Sequence, residues 1–253
     1  MSSKRFIEMK KLIILIFAIA FFLASWLVAN VSIGGAVTWV SALFIVLLSV
    51  PSYYFLIRWI GVKWGLILIV FFGIFPIIVE AIGITTGMPY GEFYYSDWMG
   101  FKIFGLVPWS VAFAFAPLIF GSLTISSKLV QGWKLQLVLS ASILVLVDMV
   151  LDPAAVVLSI WVWLIPGPYY GIPITNYTGW FLTAFIASII LYYSLQRISQ
   201  VQMEIPIEVS SSLFISLAFW TGFSLWAGLL IPLGIGLILT MVIGYFLLKN
   251  RNV

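Results

Sequence analysis

The chain has 253 residues, 64% of them apolar and only 8% charged, with a mean hydropathy of +1.21. A soluble domain carries about 25% charged residues, so this chain cannot cover a water-facing surface and is expected to be a single integral membrane domain over 1–253. Cys and His are both absent, which excludes thiol nucleophiles, disulfides, Cys/His metal centres, haem held by His and every Ser-His-Asp arrangement.

Lys4, Arg5, Lys10 and Lys11 precede an apolar run from Leu12 to Ala29. That run is longer than the roughly 7–15 apolar residues of a signal peptide, so a retained first helix is expected. Further spans are expected at Val37–Leu56, Gly65–Ile84, Gly105–Thr124, Leu135–Leu151 and Gly179–Leu195. The stretch Val209–Leu248 has 40 residues without a charge. As one helix it would be about 60 Å long, about twice the hydrocarbon core. It therefore reads as two helices with a turn between Trp226 and Gly234. The apolar runs are continuous rather than alternating, which excludes a transmembrane barrel. The fold class is all-α: a polytopic membrane protein of about eight transmembrane helices.

Charge sets the orientation. With the N-terminus in the cytoplasm, eleven of the 12 basic residues fall in cytoplasmic segments, namely Lys4, Arg5, Lys10, Lys11, Arg58, Lys63, Lys128, Lys134, Arg197, Lys249 and Arg251, and Lys102 alone falls outside. This positive-inside bias places both termini in the cytoplasm of a multi-pass protein of the cell membrane. It also accounts for the net charge of +4 without a nucleic-acid partner.

The acids are distributed the other way. Glu80, Glu92, Asp97, Asp148 and Asp152 lie in or beside the outer half of the membrane, next to two long outer segments, 85–104 and 152–178. A bare carboxylate near mid-membrane costs at least about 2.5–3.5 kcal/mol. Glu80 and Asp148 must therefore face the bundle, find a donor or keep a proton. Asp152 lies one turn after Asp148 on the same helix face. It also precedes Pro153, the pattern of an N-cap followed by the first helical residue, so Pro153–Leu164 reads as a short interfacial or re-entrant helix near 153–165. Asn176 fits either the cap of the next helix or a group that holds water or a carboxylate.

The aromatic residues of these segments include Tyr90, Tyr94, Tyr95, Trp161, Trp163, Tyr169, Tyr170 and Trp180. An aromatic belt would be two-sided, and the inner ends carry far fewer, so part of this set is expected to line a site. Other chemistries fail on specifics. The last helices have no mid-membrane Lys for a retinal Schiff base, and no paired-aspartate magnesium motif or phosphate-cradling glycine loop is present.

The ordered residues Glu80-Ala-Ile-Gly-Ile-Thr-Thr-Gly-Met-Pro-Tyr-Gly-Glu-Phe-Tyr-Tyr95, then Asp148-Met-Val-Leu-Asp-Pro153, Trp161-Val-Trp163, Gly167-Pro-Tyr-Tyr-Gly-Ile-Pro173, Asn176 and Gly179-Trp180 resemble the membrane-bound carotenoid hydratase family. The resemblance covers roughly the central half of the chain. One departure is Tyr90, where the family pattern carries Phe; it adds a hydroxyl and keeps the ring.

The resemblance implies addition of water to the terminal double bond of a long acyclic carotenoid, giving a tertiary alcohol, with no redox cofactor and no metal. Its partners are the carotenoid, water and the bilayer, with association with other carotenoid enzymes as a further expectation. Asp148 or Glu80 is then the proton donor, with the remaining carboxyls, including Asp152, and Asn176 holding the water. Thr86, Pro89, Tyr90, Tyr94, Tyr95, Trp161, Trp163, Tyr169, Tyr170 and Trp180 become the substrate-binding candidates. The alternatives are a carotenoid cyclase using the same protonation, a cation transporter, and a non-catalytic scaffold.

Overall fold

The computed structural model describes residues 3–31, 38–198 and 204–249. The expected start of the second span at Val37 and the charge of Arg251 lie outside the described residues. Eight helices are long and apolar enough to cross a membrane among the described residues. They are α1 (Ser3–Asn30), α2 (Thr38–Ile60), α3 (Val62–Thr86), α4 (Val111–Leu129), α5 (Trp133–Val157), α6 (Ile174–Ile198), α7 (Ser211–Trp226) and α8 (Leu230–Leu248).

The surface of α3 explains why the bundle requires lipid. Leu66, Val70, Ile74, Ile78 and Ile82, spaced four apart, are all exposed. The opposite face buries Gly65, Leu68, Phe72, Gly73, Pro76, Glu80 and Gly83. An outward stripe of branched aliphatics around an inward face with glycines and an acid is the reverse of a soluble helix. The chain is a multi-pass membrane protein. Helices α4 and α7 are the most enclosed and α1 the least; α1 packs on α7, α7 on α8, and α4 on α3 and α5.

The turn between α7 and α8 falls at 227–229, inside the expected interval, where Gly228 adopts φ 71°. The first turns of α1 and the end of α8 meet at one end of the bundle, where the Lys11 ammonium donates to the carbonyls of Leu248 and Lys249 at 3.1 and 2.9 Å.

Two expectations need correction. The fourth span starts at Val111 rather than Gly105, because Phe104 and Gly105, at φ 53° and 70°, close a small hairpin of β2 (Lys102–Ile103) and β3 (Val107–Pro108). The short helix near 153–165 does not form. Instead α5 continues through Pro153 to Val157, so Asp152 caps nothing and lies within a helix. Proline has no N–H, which frees the carbonyl four residues earlier; that carbonyl, on Met149, accepts a hydrogen bond from the Tyr169 hydroxyl at 3.0 Å. Ser159, at φ 53°, then turns the chain. The aromatic and β-branched run that follows suits a strand, and β4 (Trp161–Trp163) pairs antiparallel with β1 (Phe93–Tyr95). This two-stranded sheet joins the two long segments at one end of the bundle.

Candidate active site

The strand pair sets which side chains face inward. Alternation along β1 buries Phe93 and Tyr95 and exposes Tyr94, as the two-residue period requires. Tyr95 stands opposite Trp161 and Phe93 opposite Trp163, with ring centroids 5.8 and 5.0 Å apart. The ring of Tyr90 is held between two helices through their glycines. An added Cβ at Gly83 of α3 or Gly179 of α6 would lie 2.6 or 2.8 Å from it. The hydroxyl that distinguishes Tyr90 from Phe is paired with Thr183 Oγ1 at 2.7 Å.

Below this aromatic roof lie the acids. The Tyr95 hydroxyl donates to Glu80 Oε2 at 2.6 Å. Burial first, and then the Glu80 carboxyl beside it, hold the Tyr95 phenol well above its ordinary value, so it serves as a donor and not as a phenolate. Burial also pushes the Tyr90 phenol up, against the hydrogen bond with Thr183. Asp148 and Asp152, one turn apart on α5, are in hydrogen-bond contact with each other. Asn176 on α6 donates its amide to Asp152 Oδ2 and, at 3.3 Å, to Asp148 Oδ2. Asn176 lies within α6 instead of capping it. Glu80, Asp152 and Asn176 are 4%, 2% and 2% exposed, whereas Asp148 stays partly accessible.

All four groups line one cavity of about 280 Å³, together with Tyr90, Tyr95, Trp161, Trp163 and Trp180. Its remaining wall is almost wholly apolar and includes Phe44, Phe115 and Phe219. The three carboxyls thus share one hydrophobic chamber, Glu80 within electrostatic reach of both aspartates. Trp180 stacks between Tyr90 and Phe115, with centroids 4.9 and 5.7 Å away. Such a chamber can hold an apolar chain end, bring a proton to it and offer aromatic faces to a developing positive charge.

The other candidates stand elsewhere. Thr86 is exposed and turns its hydroxyl back to the Ile82 carbonyl at the end of α3. The Pro89 carbonyl abuts Gly179. Tyr94 faces outward, Tyr169 is engaged with Met149, and the Tyr170 hydroxyl accepts from the Ile231 N–H at 3.5 Å. None of these five lines the cavity.

Sequence reading missed the contributions of α2, α4 and α7, among them Phe44, Phe115, Ser216 and Phe219. Their helices carry no charge near the cavity, so the contrast between faces is weak. The hydroxyls of Ser41 and Ser49 on α2 and of Ser212 and Ser216 on α7, which line the cavity, give a faint signal.

Comparison with known proteins places the chain in a family. A bisanhydrobacterioruberin hydratase of Haloarcula japonica is 32% identical over 123 residues, which are 47% of this chain and 42% of that protein. The match thus spans about two-fifths of that relative's length. No solved structure matches the chain. The pattern of the family described as "Carotenoid biosynthesis protein" matches residues 36–243, a stretch that takes in Glu80, Asp148, Asp152 and Asn176, and the chain belongs to that family.

Proposed function

We propose that the protein adds water across the terminal carbon–carbon double bond of an acyclic carotenoid, giving a tertiary alcohol. The observation that carries this reading is the convergence of three carboxyls and one amide on an apolar, aromatic-walled cavity, in a chain of the carotenoid biosynthesis family. The hydratase name of the relative from Haloarcula japonica agrees with it.

In this mechanism the neutral Asp148 carboxyl gives its proton to the CH carbon of the end group. The π electrons form the new C–H bond and leave a tertiary cation on the dimethyl carbon. Tyr90, Phe115 and Trp180 line the same cavity, and each aromatic face contributes about 0.5–2 kcal/mol toward a desolvated cation. A water oxygen then forms the C–O bond, and its surplus proton passes by way of Glu80 to the Asp148 carboxylate. The acid is thereby restored and the net change is one added water, with no redox partner.

Asp148 is assigned over Glu80 because it is the less buried of the two residues that line the cavity. Its contact with Asp152, with Asn176 bridging both, lets one proton be shared by the pair. Glu80 has one oxygen engaged by Tyr95, and its second oxygen is the acceptor for water.

The test is expression in a lycopene-producing bacterium grown in water labelled with heavy oxygen. The expected pigment is heavier by one water and carries the label. An isomeric product marks a cyclase instead, label taken from dioxygen marks an oxygenase, and unchanged pigment overturns the reading.

A further inference from the structure

Hydration inside an apolar chamber requires a route and a holding point for the water, and the strand β4 offers both. Trp161 and Trp163, on one face of the strand, line the substrate cavity and also border a second hollow of about 220 Å³. Val162, from the opposite face, lines only that second hollow. Two exposed residues, Ser159 and Pro166, rim it, so it opens away from the helix bundle at the end where the long segments lie. The two indoles are the partition between an outward-facing hollow and the chamber that holds the acids.

Both indole Nε1 groups are buried and have no hydrogen-bond partner, and Trp163 is 8% exposed. A buried Trp N–H usually finds a partner, because leaving it unmade costs about 1–3 kcal/mol. Across the strand pair Tyr95 stands opposite Trp161, and Tyr95 carries the bond to Glu80. The two indoles and Glu80 line one chamber, and an N–H donor together with a carboxylate acceptor is what a nucleophilic water needs. An N–H occupies one lone pair, the carboxylate accepts a proton, and the second lone pair is left to attack.

We propose that water reaches the reaction chamber through β4, between Trp161 and Trp163, and that their indole N–H groups hold it for attack on the cation. This rests on the hydratase reading and adds to it a water path and two positioning residues.

The test separates protonation from capture. Membranes containing the full chain are incubated with lycopene in heavy water. The acid's deuteron adds to the alkene carbon, and a cation not captured by water loses a proton to the carboxylate and returns as an alkene carrying deuterium. The readout is the ratio of hydrated product to deuterated, unhydrated pigment.

Trp161→Phe and Trp163→Phe keep a ring and remove the N–H, and each is expected to lower the ratio about tenfold, the loss of one hydrogen bond in the capture step, while deuterium still enters. Val162→Trp narrows the outer hollow and keeps both indole N–H groups, and should lower the ratio in the same direction. Variants that hydrate at the wild-type ratio overturn the inference and leave the hydratase reading standing. Loss of deuteration and hydration together in all three also overturns it, since the tryptophans then serve substrate binding or folding. A wild-type protein that neither hydrates nor deuterates lycopene sinks the hydratase reading itself.

Discussion

A carboxyl in the hydrocarbon region survives only with partners, and each of the three here has a different set. Glu80 has the Tyr95 phenol, Asp152 has Asn176, and Asp148 shares that amide and is the least buried of the three. In the proposed reaction Asp148 gives the proton, and Asp148→Asn is expected to lower hydration by about 10²–10⁴-fold, the usual worth of a general acid. Pigment analysis of expressing cells measures it, and unchanged product would remove Asp148 from the mechanism. Tyr169 is the contrasting case. Its hydroxyl serves the carbonyl that Pro153 leaves free, and its ring lies outside the cavity. Tyr169→Phe should cost about 0.5–1.5 kcal/mol of stability with hydration near the wild-type level; thermal unfolding in detergent and the pigment assay together check this.

At the scale of elements, the site depends on how closely α3 and α6 approach the segment between α3 and β1. Gly83 and Gly179 let the Tyr90 ring sit between the two helices, and Thr183, one turn beyond Gly179, takes its hydroxyl. A side chain at either glycine would meet that ring, and at Gly179 also the Pro89 carbonyl 2.8 Å away. Gly179→Leu is therefore expected to destabilise the protein by about 1–3 kcal/mol, the cost of overpacking. Gly234, inside α8, has nothing within 4 Å of an added Cβ. Gly234→Ala should be neutral or stabilising by up to about 1 kcal/mol. Equal melting shifts for the two variants would show that close approach at Gly179 does not matter. The strand pair β1–β4 acts at the same scale: it ties two segments about 70 residues apart and turns Tyr95, Trp161 and Trp163 toward the acids.

For the whole molecule, the charge pattern and the bundle make a joint prediction. Lys11 meets the carbonyls of α8's last residues, so the first turns of α1 and the end of α8 share one end of the bundle, and the basic residues cluster at that end. Reporters fused at the C-terminus should be active on the cytoplasmic side, and reporters inserted in the β2–β3 hairpin on the opposite side. The reverse pattern would overturn the orientation and move the chamber to the cytoplasmic leaflet.

The sequence by itself determined the lipid environment and the eight helices and singled out Glu80, Asp148 and Asp152 as candidates, because hydrophobic run length and the cost of an intramembrane charge are local properties. It also marked Asn176, Tyr95 and the Trp161–Trp163 pair as members of unusual ordered segments. Only the tertiary structure decided that α5 runs through Pro153, since the partner that makes this tolerable, Tyr169, lies 16 residues further on in the chain. It alone separated Trp180 and Tyr95, which line the chamber, from Tyr94, Tyr169 and Tyr170, which do not. In helices marked only by scattered Ser and Thr, the inward face is chosen by packing between distant segments, and the pattern of neighbours along the chain records that choice only faintly.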